Sequence, residues 1–332
     1  MTTPATKKQS APQRRAATNG ASWKLRRSGG LRILEAPQLA RLDWLVHGFS
    51  ARPGGVSAVP AGSKTAKPGA SRAQKLRRRK ESPRALNLGF ADWDSREHVV
   101  ENRQRFFHAI GAEDMHFAML RQIHSDAVQR VDAVTAGAEE APTGDALITR
   151  EPGRLLAVQT ADCVPILLAD VGQRAIAAVH AGWRGTLRRI AAKALGRMQM
   201  EFGTRPEDVV AALGPSIGRC CYEVGEEVVR EFQAQFPEAR QWFDGPFDAL
   251  ASGENDPNWL PWLTMMPPGH PPPALRAHLD LIAANRAILA KAGVPLRQIS
   301  SSGYCTACRT DLFFSYRRES STGRLMAVIG VL

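Results

Sequence analysis

The chain contains 332 residues, 44% of them hydrophobic and 23% charged, which is typical of a globular protein with one large or two small domains. It contains no run of about 18 apolar residues, so we expect no membrane-spanning segment, and its first residues lack the apolar core of a secretory signal peptide. With five cysteines in so long a chain, reduced thiols or metal ligation in the cytoplasm are favoured over a disulfide framework.

The net charge of +12 is concentrated in two segments. Residues 1–30 carry seven basic and no acidic side chains, and residues 58–84 carry nine basic side chains and one acidic. The rest of the chain is therefore slightly acidic, which argues against a nucleic-acid-binding face on the folded part. We predict a disordered basic tail at 1–28 and a disordered basic insertion at 58–84, which make at most weak, salt-sensitive contacts with anions.

The remaining residues, 29–332, are expected to form a single catalytic domain. The proline-rich stretch 245–275 cannot form a regular helix or a central strand, so it is predicted to be an irregular insertion. Short apolar runs bounded by polar turns are typical of strands buried in a sheet. Such runs predict strands at 155–158, 166–169, 175–179, 209–213 and 326–332.

Helical periodicity of apolar residues predicts helices at 187–198, 226–236 and 279–292. Helices and strands joined by short loops indicate an α/β or α+β fold. The sequence has no GxGxxG or Walker-type loop, so a dinucleotide-binding or P-loop fold has no support.

One turn combines several features of a functional site. His180 follows the predicted strand 175–179, and two glycines then bracket Trp183 and Arg184 before a helix begins. Glycine permits close approach of the backbone, and the N-terminus of the helix favours anions. The Arg184 guanidinium is suited to phosphate or carboxylate. The alternative is a tight turn in which His180 is a structural residue.

Two further residues extend this hypothesis to a metal site. Cys163 lies in a turn between two predicted strands, and His124 stands between apolar and polar residues. Either alone is more typical of a structural role, but one Cys and two His are ligands suited to zinc. Three protein ligands would leave a fourth position for water or substrate, as in catalytic zinc sites. No local spacing rule supports the trio, because its members are 39 and 17 residues apart.

Nine segments, taken in order, resemble the laccase-domain purine nucleoside phosphorylase family, also called the polyphenol oxidoreductase or peptidoglycan editing factor family. The resemblance covers roughly 44–332, except the two irregular stretches. The segments are 47–57 (HGFSARPGGVS), 86–89 (LNLG), 122–124 (QIH), 145–149 (DALIT), 160–165 (TADCVP), 180–185 (HAGWRG), 213–218 (LGPSIG), 221–224 (CYEV) and 311–318 (DLFFSYRR).

The resemblance implies a layered α/β/β/α domain and a metal, Zn²⁺ or alternatively copper, bound by His124, Cys163 and His180. It implies phosphorolysis of adenosine, inosine, guanosine and methylthioadenosine, with adenosine deamination as a second reaction. The substrates would then be a purine nucleoside and phosphate.

Four residues within these segments are predicted to act on the substrate. We expect Arg52, Asn87 and Arg184 to bind substrate or phosphate. The two arginines are suited to phosphate, because a guanidinium forms paired hydrogen bonds with phosphate oxygens. Asp162 and Arg184 are the predicted catalytic residues, with Asp162 orienting a ligand or exchanging a proton. An aspartate that only caps a turn is the alternative for Asp162.

The sequence also allows three functions of other kinds. A metal-free hydrolase would use Cys163 as nucleophile and His180 as base. A copper-dependent polyphenol oxidase would need several copper ions, and the eight histidines form no clustered HxH motif. An editing hydrolase acting on cell-wall precursors is not distinguished from nucleoside chemistry by the sequence.

The remaining four cysteines are expected to be reduced structural thiols. Cys305 and Cys308 have the CxxC spacing of half a structural zinc site. The adjacent pair Cys220 and Cys221 has a spacing that we expect to be poor for supplying the other two ligands.

Overall fold

The computed structural model describes residues 22–59, 84–132, 141–245 and 276–332. Most of the predicted tail, and nearly all of the basic and proline-rich insertions, lie outside these residues. The boundary of the predicted tail is wrong at its end, because Lys24–Ser28 forms a strand paired with Leu31–Glu35. The Trp23 ring lies 5.2 Å from the ring of Phe49 in the core, which helps to hold this strand. Ala58 and Arg84, at the ends of the predicted basic insertion, pair with each other in strands.

Within the described residues, the first large sheet has the strand order β1-β2-β3-β17-β9-β6. Neighbouring strands are antiparallel except β6 and β9, which are parallel. The strands are β1 (Lys24–Ser28), β2 (Leu31–Glu35), β3 (Leu45–Ser50), β6 (His116–Met119), β9 (Arg154–Thr160) and β17 (Leu325–Val331).

The second large sheet has the order β16-β12-β10-β11-β8-β7. Its central strands are antiparallel, and the outer pairs β12–β16 and β7–β8 are parallel. The strands are β7 (Val128–Arg130), β8 (Ala146–Thr149), β10 (Val164–Asp170), β11 (Ala175–Ala181), β12 (Val209–Leu213) and β16 (Ile299–Ser301). Shorter strands form two small sheets: β4 (Pro53–Ala58) with β5 (Arg84–Ala85), and β13 (Glu223–Gly225), β14 (Phe243–Asp244) and β15 (Arg276–Leu279).

Six α-helices lie in the described residues, and the longer ones cover the outer faces of the two large sheets. They are α1 (Arg96–Ile110), α2 (Trp183–Leu187), α3 (Ile190–Phe202), α4 (Glu226–Gln235), α5 (Leu281–Lys291) and α6 (Tyr316–Glu319). Helix α1 packs on the first sheet, and α3, α4 and α5 pack over the second. No described helix is long and apolar enough to cross a membrane.

Side-chain alternation in β11 shows how the layers are made. Ile176 and Ala178 pack into the core between the two sheets, whereas Ala177 and Val179 pack against the helices. Every residue of β10 and β11 is buried, because both faces of these strands are covered. The predicted α/β/β/α layering is thus confirmed.

The predicted strands are confirmed, each within one or two residues at its ends. The helix predicted at 187–198 is corrected. The chain forms α2, breaks at Arg188 and Arg189, and only then enters α3, with Arg189 at a φ of 58°. Helix α5 begins later than predicted, because Leu279 belongs to β15 and the Asp280 carboxylate accepts a hydrogen bond from the amide of Ala283.

Candidate metal centre

The antiparallel pairing of β10 with β11 places two predicted ligands side by side. Val164 pairs with Ala181 and Pro165 with His180. Cys163, immediately before β10, therefore lies beside the end of β11. His124 comes from the turn between β6 and β7 and reaches the same place.

The structure brings the three predicted ligands into one cluster. The Cys163 sulfur lies 3.8 Å from Nε2 of His124, and the two imidazole rings meet nearly edge to face with centroids 4.9 Å apart. One donor atom from each residue lies within 4.8 Å of the other two. His180 is buried, Cys163 is half-buried and His124 is exposed, so the cluster faces the surface through His124.

A buried carboxylate organises this cluster from behind. Asp145, at the start of β8, accepts a 2.8 Å hydrogen bond from Nδ1 of His180, which leaves Nε2 directed to the cluster. Its two oxygens also accept bonds from the amides of Ile123, His124 and Ser125 and from the Ser125 hydroxyl. Burial acts to raise the pKa of this carboxyl, but the hydrogen bonds from His180 and Ser125 outweigh it and hold the pKa well below its usual range.

The cluster has the electrostatics of an activated thiol. Burial alone would raise the pKa of Cys163, but the charge of His180 and the hydrogen bond with His124 lower it to about 6. Burial would likewise lower the pKa of His180, but the Cys163 charge and Asp145 raise it to about 9. The thiolate is the form that binds metal and the form that acts as a nucleophile.

Because Gly182 has no side chain, it leaves room for the side chains of His124 and Cys163. A Cβ atom at this position would lie 2.9 Å from Cδ2 of His124 and 3.0 Å from the Cys163 sulfur. The donor set and this space fit a metal ion of the zinc class, which takes imidazole and thiolate ligands.

Asp162 lies next to Cys163 in sequence, but its side chain is engaged elsewhere. Its carboxylate accepts a 2.6 Å hydrogen bond from the Thr306 hydroxyl and a 2.7 Å bond from the amide of Arg317. Its carbonyl accepts a bond from the amide of Ile217. Asp162 has a φ of 100°, a conformation that L-residues adopt only when the surroundings enforce it. The contacts resemble those of a turn-capping aspartate, and the predicted catalytic role of Asp162 stays a prediction.

Arg52 and Asn87 also have internal partners. The Arg52 guanidinium donates to Glu319 at 2.6 Å and to the carbonyl of Thr310. The Asn87 side chain is fully buried and its oxygen accepts hydrogen bonds from the amides of Gly89 and Arg324. Direct contact with a substrate would require these residues to leave their partners, so their binding roles stay predictions.

Arg184 is the predicted substrate residue that the structure leaves exposed beside the cluster. Its guanidinium stacks over the ring of Trp183 at 4.3 Å. Arg184 stands two residues after Gly182, which packs against the His124 ring and the Cys163 sulfur, and this places Arg184 near the cluster. Its predicted role in binding phosphate is compatible with this position.

Two residues that the sequence did not single out also belong to this region. Burial raises the pKa of the Tyr222 hydroxyl and the Cys163 charge adds to the effect, so Tyr222 keeps its proton. The exposed Arg317 guanidinium lies 5.3 Å from the centre of the Tyr222 ring. Both lie in segments that carried the family resemblance, 221–224 and 311–318. The resemblance was therefore the sequence signal that could have pointed to these two residues.

The chain belongs to a family defined by sequence: the model described as "Multi-copper polyphenol oxidoreductase laccase" matches residues 46–332. This confirms the resemblance inferred from the nine segments.

Named relatives are enzymes of purine nucleosides. The chain is 39% identical over 303 residues to a purine nucleoside phosphorylase of Deinococcus radiodurans, covering 91% of this chain and 94% of that protein. It is 36% identical over 226 residues to adenosine deaminase RL5 of an unknown prokaryotic organism, covering 66% of this chain and 76% of that one. The crystal structure of YlmD from Geobacillus stearothermophilus matches with a TM-score of 0.68 and 30% identity, covering 92% of this chain and 97% of that one.

Gly182→Ala should weaken metal binding at the cluster, because the new methyl group would displace His124 and Cys163. The matched control is Gly196→Ala in α3, where a Cβ meets nothing within 4 Å. The control should bind metal normally and gain about 0.5–1 kcal/mol of stability. Titration with a metal-buffering chelator measures the affinity, and equal affinities in the two variants would contradict the prediction.

Asp145→Asn should lower metal affinity about 10- to 100-fold, because His180, a predicted ligand, loses the carboxylate that orients it. The control is Asp311→Asn, which neutralises an exposed carboxylate paired with Arg309 at the surface. Chelator competition measures the affinity. The metal counted is the one bound at this cluster, which is identified by its loss when Cys163 is replaced by alanine. An affinity equal to that of the control would remove the orienting role from Asp145.

Proposed function

We propose that the chain is a zinc-dependent purine nucleoside phosphorylase that converts adenosine, inosine, guanosine or methylthioadenosine and phosphate to the free base and a ribose 1-phosphate. Adenosine deamination is proposed as a second activity. The observation that carries the proposal is the convergence of His124, Cys163 and His180 on one point with Asp145 behind them. The names of the relatives add support, since they include both activities.

His124, Cys163 and His180 would hold the metal, with zinc favoured by the mixture of imidazole and thiolate and copper as the alternative. When bound, such an ion supplies a Lewis acid with a coordination position left open by the three protein ligands.

The chain's own residues would place the two substrates beside this point. Phosphorolysis joins a phosphate oxygen to C1′ of the ribose, and the base leaves with the electrons of the broken C1′–N bond and takes up a proton. Arg184 is proposed to bind the phosphate, because it is exposed and stands two residues after Gly182, which packs against the cluster. Tyr222 retains its proton and is proposed to donate a hydrogen bond to the substrate. Asp162 would position the Cys163 turn through its contacts with neighbouring loops.

A second candidate function is supported by a specific observation. Cys163, His180 and Asp145 have the order of partners found in thiol hydrolases, in which a carboxylate orients the histidine that activates the thiol. The lowered pKa of Cys163, about 6, fits a nucleophile as well as a metal ligand. Metal removal separates the two, because the hydrolase would keep its activity and lose it to a thiol alkylator.

A multi-copper oxidase and a cell-wall precursor hydrolase receive less support. Within the described ranges, groups of three or more close metal-ligating side chains occur at two places, and neither contains the several histidines of a multi-copper centre. Editing of cell-wall precursors would use the same cluster and is tested by the choice of substrate. We also propose a cytoplasmic location, since all five cysteines are free.

The experiment that tests the proposal is metal content and turnover in wild type and Cys163→Ala. The variant should lose one metal equivalent per chain. It should also lose the ability to release adenine from adenosine and phosphate, a reaction that chromatography follows. Inosine should appear from adenosine without phosphate if deamination also occurs. Turnover that survives metal removal in the wild type but not alkylation would favour the hydrolase.

Arg184→Gln should raise the KM for phosphate at least about tenfold, equivalent to about 1.4 kcal/mol of lost binding, with a smaller effect on the KM for adenosine. The control is Arg205→Gln, which changes an exposed arginine far from the cluster. Arg205 lies just before β12, whose first residue, Val209, pairs with Asp170 at the end of β10 opposite to Cys163. Steady-state kinetics with each substrate varied in turn measure the split. A phosphate KM equal in both variants would sink the assignment of Arg184.

A further inference from the structure

Four cysteine thiols outside the cluster of His124, Cys163 and His180 meet at a second point. Cys220 and Cys221 follow β12, and Cys305 and Cys308 follow β16. The Cys308 sulfur lies 3.5 Å from that of Cys220 and 3.4 Å from that of Cys221, and all four sulfurs lie within 4.8 Å of one another. The expectation that the adjacent pair has poor geometry is therefore wrong.

The topology of the second sheet produces this meeting. Strands β12 and β16 are parallel neighbours, with Leu213 opposite Ser301 at their ends, so the loops that follow them leave the same edge. The loops then continue to pair: the amide of Ser216 donates to the carbonyl of Tyr304, and the amide of Thr306 donates to that of Ser216. The thiols are thus held in place by backbone contacts on both loops.

The spacing of the sulfurs fits a tetrahedral metal site. A Zn–S distance of about 2.3 Å in a tetrahedron sets neighbouring sulfurs about 3.8 Å apart. The distances of 3.4 and 3.5 Å lie slightly inside this value, and they are far longer than the roughly 2.05 Å of a disulfide bond. All five cysteines of the chain are free.

Hydrogen-bond donors point at the sulfurs, as they do around thiolate ligands of metals. The amide of Gly218 donates to the Cys305 sulfur at 3.2 Å, and Nη2 of Arg318 donates to the Cys221 sulfur at 3.4 Å. A Cβ at Gly218 would lie 3.2 Å from Cβ of Cys305 and 3.3 Å from the Cys220 sulfur, so glycine leaves room for the packed thiols. Arg318 also offsets the negative charge that four thiolates bring to one cation.

We propose that Cys220, Cys221, Cys305 and Cys308 bind a second metal ion of the zinc class in a closed, structural site. Four thiolates complete a tetrahedron and leave no position for a substrate, which distinguishes this site from the cluster at Cys163. The ion joins the loop that carries Tyr222 to the loop whose Thr306 hydroxyl binds Asp162. It therefore fixes two loops beside the cluster of His124, Cys163 and His180 without taking part in the chemistry of that cluster.

Metal analysis of three proteins tests the proposal. Protein expressed with zinc and purified without chelators should contain two equivalents per chain, and both Cys163→Ala and the double variant Cys305→Ser, Cys308→Ser should contain one. Cys163→Ala is the matched control, since it removes a thiol ligand from the other cluster. The proposal is overturned if wild type holds one equivalent that disappears in Cys163→Ala.

A cobalt spectrum keeps the test valid if the double variant does not fold. Cobalt bound to Cys163→Ala should give the intense sulfur-to-metal charge-transfer band of four thiolates, because that variant retains all four thiols of the second cluster. A band with the intensity of one thiolate or none overturns the proposal. Mass spectrometry of the unreduced wild type that finds these four cysteines in disulfides also overturns it. Both outcomes are independent of nucleoside turnover, so the proposed function stands or falls separately.

Discussion

The first cluster depends on one buried carboxylate more than on any of its proposed ligands. Asp145 binds Nδ1 of His180 and the backbone amides of the turn that carries His124. It therefore fixes the direction of one imidazole and the position of the other with a single side chain. Burying a carboxylate is unfavourable unless its oxygens are fully hydrogen-bonded, and the additional bonds from the Ser125 amide and hydroxyl meet that need. The carboxylate is stable only while both ligand-bearing segments are in place, so the local fold and the site form together.

Two turns at this site hold strained backbone conformations. His124 has a φ of 57° and Asp162 a φ of 100°, and such conformations cost on the order of 1–3 kcal/mol each in non-glycine residues. In both turns the compensation is visible as hydrogen bonds to other parts of the chain. The turn at His124 is held by Asp145, and Asp162 is held by Thr306 and by the amide of Arg317. The strain is thus supported by segments distant in sequence.

The sequence predicted the parts of the molecule whose signals are local. Apolar runs were sufficient for the central strands, since both faces of β10 and β11 are covered and their residues are uniformly apolar. The break at Arg189 was missed because apolar periodicity continues across it. No spacing rule predicted the trio of His124, Cys163 and His180, which was inferred from ligand chemistry and from the family resemblance. The hydrogen bond from His180 to Asp145 spans 35 residues, and the contact of Cys220 with Cys308 spans 88. Contacts of that kind arise from sheet order, which periodicity does not contain.

The same sheet order links the two cysteine-containing clusters through Asp162. Its carboxylate binds Thr306, which lies between Cys305 and Cys308, and its carbonyl binds the amide of Ile217, three residues before Cys220. Free loops would lose conformational entropy in making these contacts, at about 1–2 kcal/mol per ordered residue. A cation bound by cysteines of both loops would already hold the loops in place, so this entropy would not be lost again when Asp162 adopts its unfavourable φ. The contacts that the structure shows for Asp162 are thus those of a residue that supports the turn before Cys163.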